Sequence, residues 1–148
     1  GIHLLHTSQA AVAAQPPAGK RIFSCEQIEK IQTYIDEKME QRILSCELAR
    51  CVYVSDYHFY RIFKRTTGIT PQQFIKKRRL EVAREMVENS VAPLSAIAYK
   101  AGFVDQSHMA REFRKAFGST PSQLRVLQDH ERNFSLPLVV KKSSPVLM

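Results

Sequence analysis

No stretch of this sequence approaches the roughly 18 consecutive apolar residues that a membrane-spanning helix needs. Its first residues lack the basic-then-apolar order of a secretory signal. An apolar run from Leu136 to Val140, followed by Lys141 and Lys142, is too short to serve as an anchor. A cytoplasmic protein with no membrane partner is therefore expected. Cysteine is also scarce. Cys25, Cys46 and Cys51 make an odd count with no CxxC pair and no histidine at zinc-ligand spacing, so reduced, inert thiols and no metal or cofactor are expected. His3, His6, His58, His108 and His130 do not group with a nucleophile or a base, which leaves no catalytic residue to name and speaks against an enzyme. Acidic residues are the minority, 14 against 22 lysines and arginines, for a formal net charge of +8 and a pI near 9.6. That balance favours a polyanionic partner, although by itself it is a weak signal, because many basic proteins bind neither nucleic acid nor membranes.

What is present is a succession of helix signals in a chain of 148 residues, enough for one ordinary core or two very small ones. Residues 1–22 are Ala, Gln and Pro rich, chiefly over 9–18, and read as a flexible linker or the remnant of one. Ser24 and Gln27 form a capping box ahead of Ile28, Ile31, Tyr34, Ile35 and Met39, so a helix should run to about Gln41. A short helix capped by Ser45 carries Leu48 and Ala49. After a tight turn Ser55 caps another, with Phe59, Ile62 and Phe63 apolar. Thr70-Pro71-Gln72-Gln73 supplies a cap, a proline at the first helical position and a capping-box glutamine, predicting a long helix to about Glu88. Pro93 opens a short helix with Leu94, Ile97, Ala98 and Ala101. Gly102 turns the chain, Asp105 caps a helix with Met109, Phe113 and Phe117, and Gly118 ends it before Thr120-Pro121-Ser122-Gln123.

The chain repeats itself. A shift of 50 superimposes His58, Arg61, Phe63, Gly68, Thr70, Pro71 and Gln73 on His108, Arg111, Phe113, Gly118, Thr120, Pro121 and Gln123. Ahead of the turn the offset is 49, matching Ala49 with Ala98, so the first copy is one residue shorter there. A short helix with a small residue, a turn, and a second helix with a polar outer face is the helix-turn-helix arrangement. The fold expected is all-α, with about seven helices. Two tandem, homeodomain-like helix-turn-helix subdomains, residues 23–70 and 90–128, are joined by a linker helix over 71–89 and followed by a tail over 129–148.

Apolar positions turned inward leave Tyr57, Tyr60, Arg61 and Lys64 outward on the first recognition helix, and Gln106, Ser107, Arg111 and Arg114 on the second. Arginine pairs with guanine, glutamine with adenine, and aromatic or small side chains meet a thymine methyl. Tyr57, Tyr60, Arg61, Gln106, Ser107 and Arg111 are thus the candidate base readers. Lys64, Lys77, Arg79, His108 and Arg114, with the helix starts at Ser45, Thr70 and Thr120, are candidate phosphate contacts. Each has a plainer reading: exposed polar residues are usually just a solvated face, the cap residues are explained by capping alone, and His58 and His108 suit a structural role. The linker helix spans roughly 27 Å. That is compatible with two recognition helices about 34 Å apart, one turn of DNA, so that a single chain occupies successive major grooves.

Residues Glu26 to Arg125 resemble the AraC/XylS family of bacterial transcription regulators. The most specific stretch is Ile97-Ala98-Tyr99-Lys100-Ala101-Gly102-Phe103-Val104-Asp105-Gln106-Ser107-His108-Met109, continuing through Phe113, Phe117-Gly118 and Thr120-Pro121. In the first unit Leu48-Ala49-Arg50, Ser55, His58-Phe59, Arg61, Phe63-Lys64-Arg65 and Gly68 to Pro71 match, and Arg79-Leu80-Glu81 matches in the linker helix. The resemblance implies sequence-specific binding to double-stranded promoter DNA and transcription activation through RNA polymerase, with any effector bound by a further N-terminal domain. It also implies a C-terminal piece of a longer regulator, small stand-alone members being the alternative. Tyr53 stands where the family's turn has glycine, which predicts an altered first turn and bears on the docking of Tyr57, Tyr60 and Arg61. The rival from another class is a helical protein-interaction module whose basic face binds an acidic partner.

Overall fold

In the first copy, α1 (Cys25–Glu37) starts where the sequence places it. The Ser24 hydroxyl accepts the Gln27 N–H at 3.1 Å and the Gln27 side-chain oxygen Oε1 accepts the Ser24 N–H at 2.9 Å. A computed structural model of the chain describes residues 21–143, in seven helices with no strand among them. The linker expected over 1–22 lies outside the described residues except for its last two, as does the end of the tail from residue 144.

α1 ends at Glu37, a turn short of the Gln41 expected, and α2 (Ser45–Cys51) then begins after Leu44. Leu44, and not Ser45, is the N-cap residue. Its N–H is taken by Glu47 Oε2 at 3.3 Å, while Glu47 Oε1 accepts the Tyr34 hydroxyl at 2.6 Å. The carboxylate thus caps α2 and ties it to α1, and it pushes the Tyr34 phenol up to about 12, because that hydrogen bond and the adjacent negative charge both resist ionisation. α3 (Asp56–Thr67) is capped by Ser55 and stopped by Gly68 at φ 85°, where the left-handed backbone suits glycine.

Two compact units emerge from the contacts within the chain. Among the described residues, the first comprises 21–38 together with Ile43–Ile75. Its core joins Ile31 and Ile35 of α1, Leu48 and Ala49 of α2, and Phe59, Ile62 and Phe63 of α3. Phe23, Phe59, Phe63 and Phe74 form a chain of ring contacts with centroids 5.1–5.7 Å apart. The Phe23 N–H on the Thr66 hydroxyl (2.9 Å) and Arg65 on the Arg21 carbonyl (2.8 Å) fasten the segment before α1 to the end of α3.

The second unit comprises Met39–Arg42 and, among the described residues, 76–143. α4 (Pro71–Asn89) opens with the anticipated capping box, Thr70 N–H on Gln73 Oε1 at 2.9 Å and Gln73 N–H on Thr70 Oγ1 at 3.2 Å. α5 (Leu94–Lys100), α6 (Gln106–Phe117) and α7 (Pro121–Ser143) follow, with the same box repeated at Thr120 and Gln123. Leu80, Ala83 and Val87 of α4 pack with Ile97, Ala98, Phe103, Met109 and Phe113 as one core. Full burial of an apolar side chain such as Met109 or Phe113 stabilises by about 1.5–3 kcal/mol, which holds α6 with its other face outward. The chain expected to be a tail from 129 continues α7 instead. Arg125 of that helix donates to the Ala92 carbonyl at 2.5 Å and to the Ser90 carbonyl at 3.1 Å, and Arg132 donates to the Glu88 carbonyl at 2.8 Å. These guanidiniums satisfy carbonyls at and beyond the end of α4 that would otherwise lack partners.

Candidate nucleic-acid interface

Both copies turn in the same way. In the first, the Tyr53 N–H bonds to the Arg50 carbonyl (3.2 Å) and the Val54 N–H to the Ala49 carbonyl (3.2 Å). In the second, Gly102 bonds to Tyr99 (3.0 Å) and Phe103 to Ala98 (2.8 Å). This paired closure of a helix end requires a left-handed residue at its centre. Gly102 supplies it at φ 87° and Tyr53 at φ 58°. The altered first turn that Tyr53 predicts does not occur: the tyrosine adopts the glycine conformation. The extra residue of the second copy is Val104, exposed between Phe103 and the cap Asp105.

Each turn delivers a helix with one buried and one open face. On α3, Phe59, Ile62 and Phe63 are buried while Tyr57, Tyr60, Arg61 and Lys64 are exposed. Arg61 donates to the Tyr57 hydroxyl at 3.3 Å and lies 5.7 Å from that ring, so the two side chains form one unit. On α6, Met109 and Phe113 are buried while Gln106, Ser107, Arg111 and Arg114 are exposed. Residues 57, 61 and 64 and residues 107, 111 and 114 share the spacing i, i+4, i+7, which lines one side of a helix. The six base-reading candidates therefore divide between two equivalent open faces, one in each unit.

The phosphate candidates fare less evenly. Lys64, Lys77 and Arg114 are exposed. Thr70 and Thr120 spend their hydroxyls and amides in capping boxes, and the prolines that follow have no N–H, so little remains there for an anion. Ser45 is the first residue of α2 rather than its cap, because Glu47 does the capping. The His108 N–H bonds to Asp105 Oδ1 at 2.8 Å, its ring meets Phe103 edge-on at 5.5 Å and its Nδ1 is buried without a partner. Its counterpart His58 is exposed and sits 2.8 Å from the Ser55 hydroxyl. The second histidine is thus largely a packing element.

Arg79 departs furthest from expectation. Its guanidinium donates to the Gln41 carbonyl at 2.7 Å and the Met39 carbonyl at 3.3 Å, and its Nε is buried without a partner. Burial disfavours its charge. It braces residues 39–42, which leaves it less free to meet a phosphate than the sequence suggests. Beside it, Gly102 has no room for a side chain, because a Cβ there would collide with the Met39 carbonyl oxygen and the Arg79 guanidinium.

Glu112 has no obvious part to play in the sequence pattern, since the matching residue of α3 is the buried Ile62. Its side chain is only 13% exposed and is paired with Lys76 of α4 at 3.0 Å and Lys115 at 3.6 Å. The hydrogen bond from Lys76, reinforced by both ammonium charges, holds its carboxyl below the usual glutamate range against the opposing effect of burial. The ion pair ties α6 to α4. Among the described residues no group of His, Cys, Asp or Glu is arranged to hold a metal ion, and no helix is long and apolar enough to cross a membrane.

Comparison with known proteins agrees with this architecture. The family described as "Helix-turn-helix domain" matches residues 48–126. LumQ of Photobacterium leiognathi, described as a probable transcriptional regulator, is 32% identical over 93 residues, covering 63% of this chain and 38% of LumQ. The HTH-type transcriptional activator RhaS of Escherichia coli is 37% identical over 70 residues, covering 47% of this chain and 25% of RhaS. The chain thus spans well under half the length of these two relatives. Among solved structures, the DNA-binding domain of the global transcriptional factor AdpA in complex with a target DNA is 25% identical. It aligns over 74% of this chain and 98% of that one, with a TM-score of 0.66. The C-terminal domain of AraT, a response regulator from Geobacillus stearothermophilus, is 28% identical over 68% of this chain and 84% of its own, with a TM-score of 0.60. The chain belongs to the AraC/XylS family of transcription regulators and carries its two-unit helix-turn-helix DNA-binding domain.

Proposed function

We propose that this domain binds double-stranded promoter DNA in a sequence-specific manner, α3 and α6 entering successive major grooves. The observation that carries the proposal is the duplicated open face, residues 57, 61 and 64 on α3 and 107, 111 and 114 on α6, in one register behind turns closed by the same pair of hydrogen bonds. Arg61 and Arg111 read guanine, Gln106 reads adenine, and Tyr57, Tyr60 and Ser107 make apolar or hydroxyl contacts to base edges. Lys64, Lys77 and Arg114 pair with phosphates and set the register. The two units are inequivalent in sequence, so an asymmetric site is expected rather than a palindrome. In the whole protein the domain activates transcription in the cytoplasm of a bacterium through contact with RNA polymerase, under the control of an effector bound outside this chain.

The test is selection from a random duplex library at about 150 mM salt, where non-specific phosphate attraction is weak. Two enriched blocks about one helical turn apart are expected. A single block would restrict base reading to one unit. Absence of any enrichment would overturn the proposal in favour of binding an acidic protein.

A further inference from the structure

We propose that Tyr53 is an additional DNA contact, its phenol donating a hydrogen bond to a phosphate oxygen at the rim of the groove that α3 enters. The inference rests on the DNA-binding reading above.

Tyr53 is the only non-glycine residue with positive φ among the described residues. A left-handed backbone is costly for a bulky L residue, and such outliers persist where something offsets the cost. The turn itself does not require tyrosine, since Gly102 closes the same pair of hydrogen bonds in the second unit. The fold does not use the ring either: Tyr53 is 88% exposed, and its hydroxyl has no partner among the described residues. A large aromatic is therefore held in an unfavourable conformation with its polar end free.

Its place in the chain indicates what meets it. In a helix-turn-helix the first helix crosses the sugar-phosphate backbone and the N-terminal end of the second reaches base edges, so the turn between them passes the groove rim. Tyr53 lies in that turn, two residues before the Ser55 cap of α3. Tyrosine hydroxyls are among the usual donors to phosphate oxygens. The contact has no counterpart in the second unit, because any side chain at Gly102 would run into Met39 and Arg79.

The experiment compares the wild-type chain with Tyr53→Phe and Tyr53→Gly on the selected duplex and on a scrambled one. Tyr53→Phe keeps the ring and the backbone conformation and removes only the donor. It is expected to weaken both duplexes about tenfold with unchanged thermal unfolding, as for a hydrogen bond to a charged group. The ratio to wild type is expected to hold from low to high salt, since a neutral donor releases no counterion. Tyr53→Gly is expected to bind at least as weakly while melting higher. Wild-type affinity in Tyr53→Phe would overturn the contact, as would a loss confined to one base pair, which would signal base reading instead. A wild-type chain without duplex preference would overturn the DNA-binding reading itself, and this contact with it.

Discussion

Replacing Gly102 with alanine asks how tightly the second turn is enclosed, and the other left-handed glycines calibrate the answer. Gly68 and Gly118 end α3 and α6 at φ 85° and 83°, and a Cβ built on either meets nothing within 4 Å. Alanine at those sites bears the left-handed backbone cost of about 1–2 kcal/mol, partly offset by about 0.4–1 kcal/mol from the stiffer unfolded chain, for a net loss near 1 kcal/mol. At Gly102 the same term applies, and the new methyl also strikes the Met39 carbonyl oxygen and the Arg79 guanidinium. Relief requires the brace to move, which sacrifices its bonds to Met39 and Gln41 and leaves a half-buried cation short of partners. Hydrogen bonds to a charged donor contribute about 1.5–3 kcal/mol, so the total for Gly102→Ala is about 2.5–4 kcal/mol. At about 2–4 °C per kcal/mol for a chain of this size, the Gly118→Ala melting point should fall by about 3 °C and that of Gly102→Ala by about 10 °C. Thermal denaturation followed by circular dichroism measures both. Equal shifts for the two variants would refute the enclosure of the second turn and the bracing role assigned to Arg79.

Other outcomes follow from the same geometry. Arg111→Ala should cost about 1–3 kcal/mol of binding and relax preference at one base pair, read by repeating the library selection; a uniform loss over all duplexes would move Arg111 to the phosphates. Phe113→Ala empties the middle of the second core and should lower stability by about 3–5 kcal/mol, seen as loss of cooperative unfolding in urea. Glu112 gives a pH signature. Its folded carboxyl lies below the ordinary value of 4.5, so its stabilising effect is complete above that value and fades as pH falls through the lower folded one. Between about pH 3 and 6 the wild type should lose more stability on acidification than Glu112→Gln, and parallel curves for the two would show that the carboxylate contributes nothing.

How much of this was legible in the sequence depends on how local the cause is. Capping boxes at Ser24, Thr70 and Thr120 and the glycine stops at Gly68 and Gly118 are set by neighbours within a few residues, and they fold as read. Periodicity alone turned Tyr57, Arg61, Ser107 and Arg111 outward. Errors arise where partners are distant. Ser45 has the chemistry of a cap, but Glu47 can take the Leu44 amide because Tyr34, on another helix, holds its other oxygen. Arg79 looks like one more cation in a basic run, and only the return of the chain forty residues earlier makes it a brace. The early end of α1 has the same origin, since the carbonyls given up at Met39 and Gln41 are collected by that arginine. Tyr53 misled in the opposite direction: the residue was unusual, while the turn it serves was not.

The four residues Met39–Arg42 belong with the second unit although they lie inside the sequence of the first. The repeat in the sequence and the units of the fold therefore do not share their boundaries. A graft of the second copy onto another regulator, cut anywhere within α4, would leave behind the strip of main chain that Arg79 grips. Engineers exchanging recognition helices between members of such a family would do better to replace the faces of α3 and α6 residue by residue than to trade the copies whole.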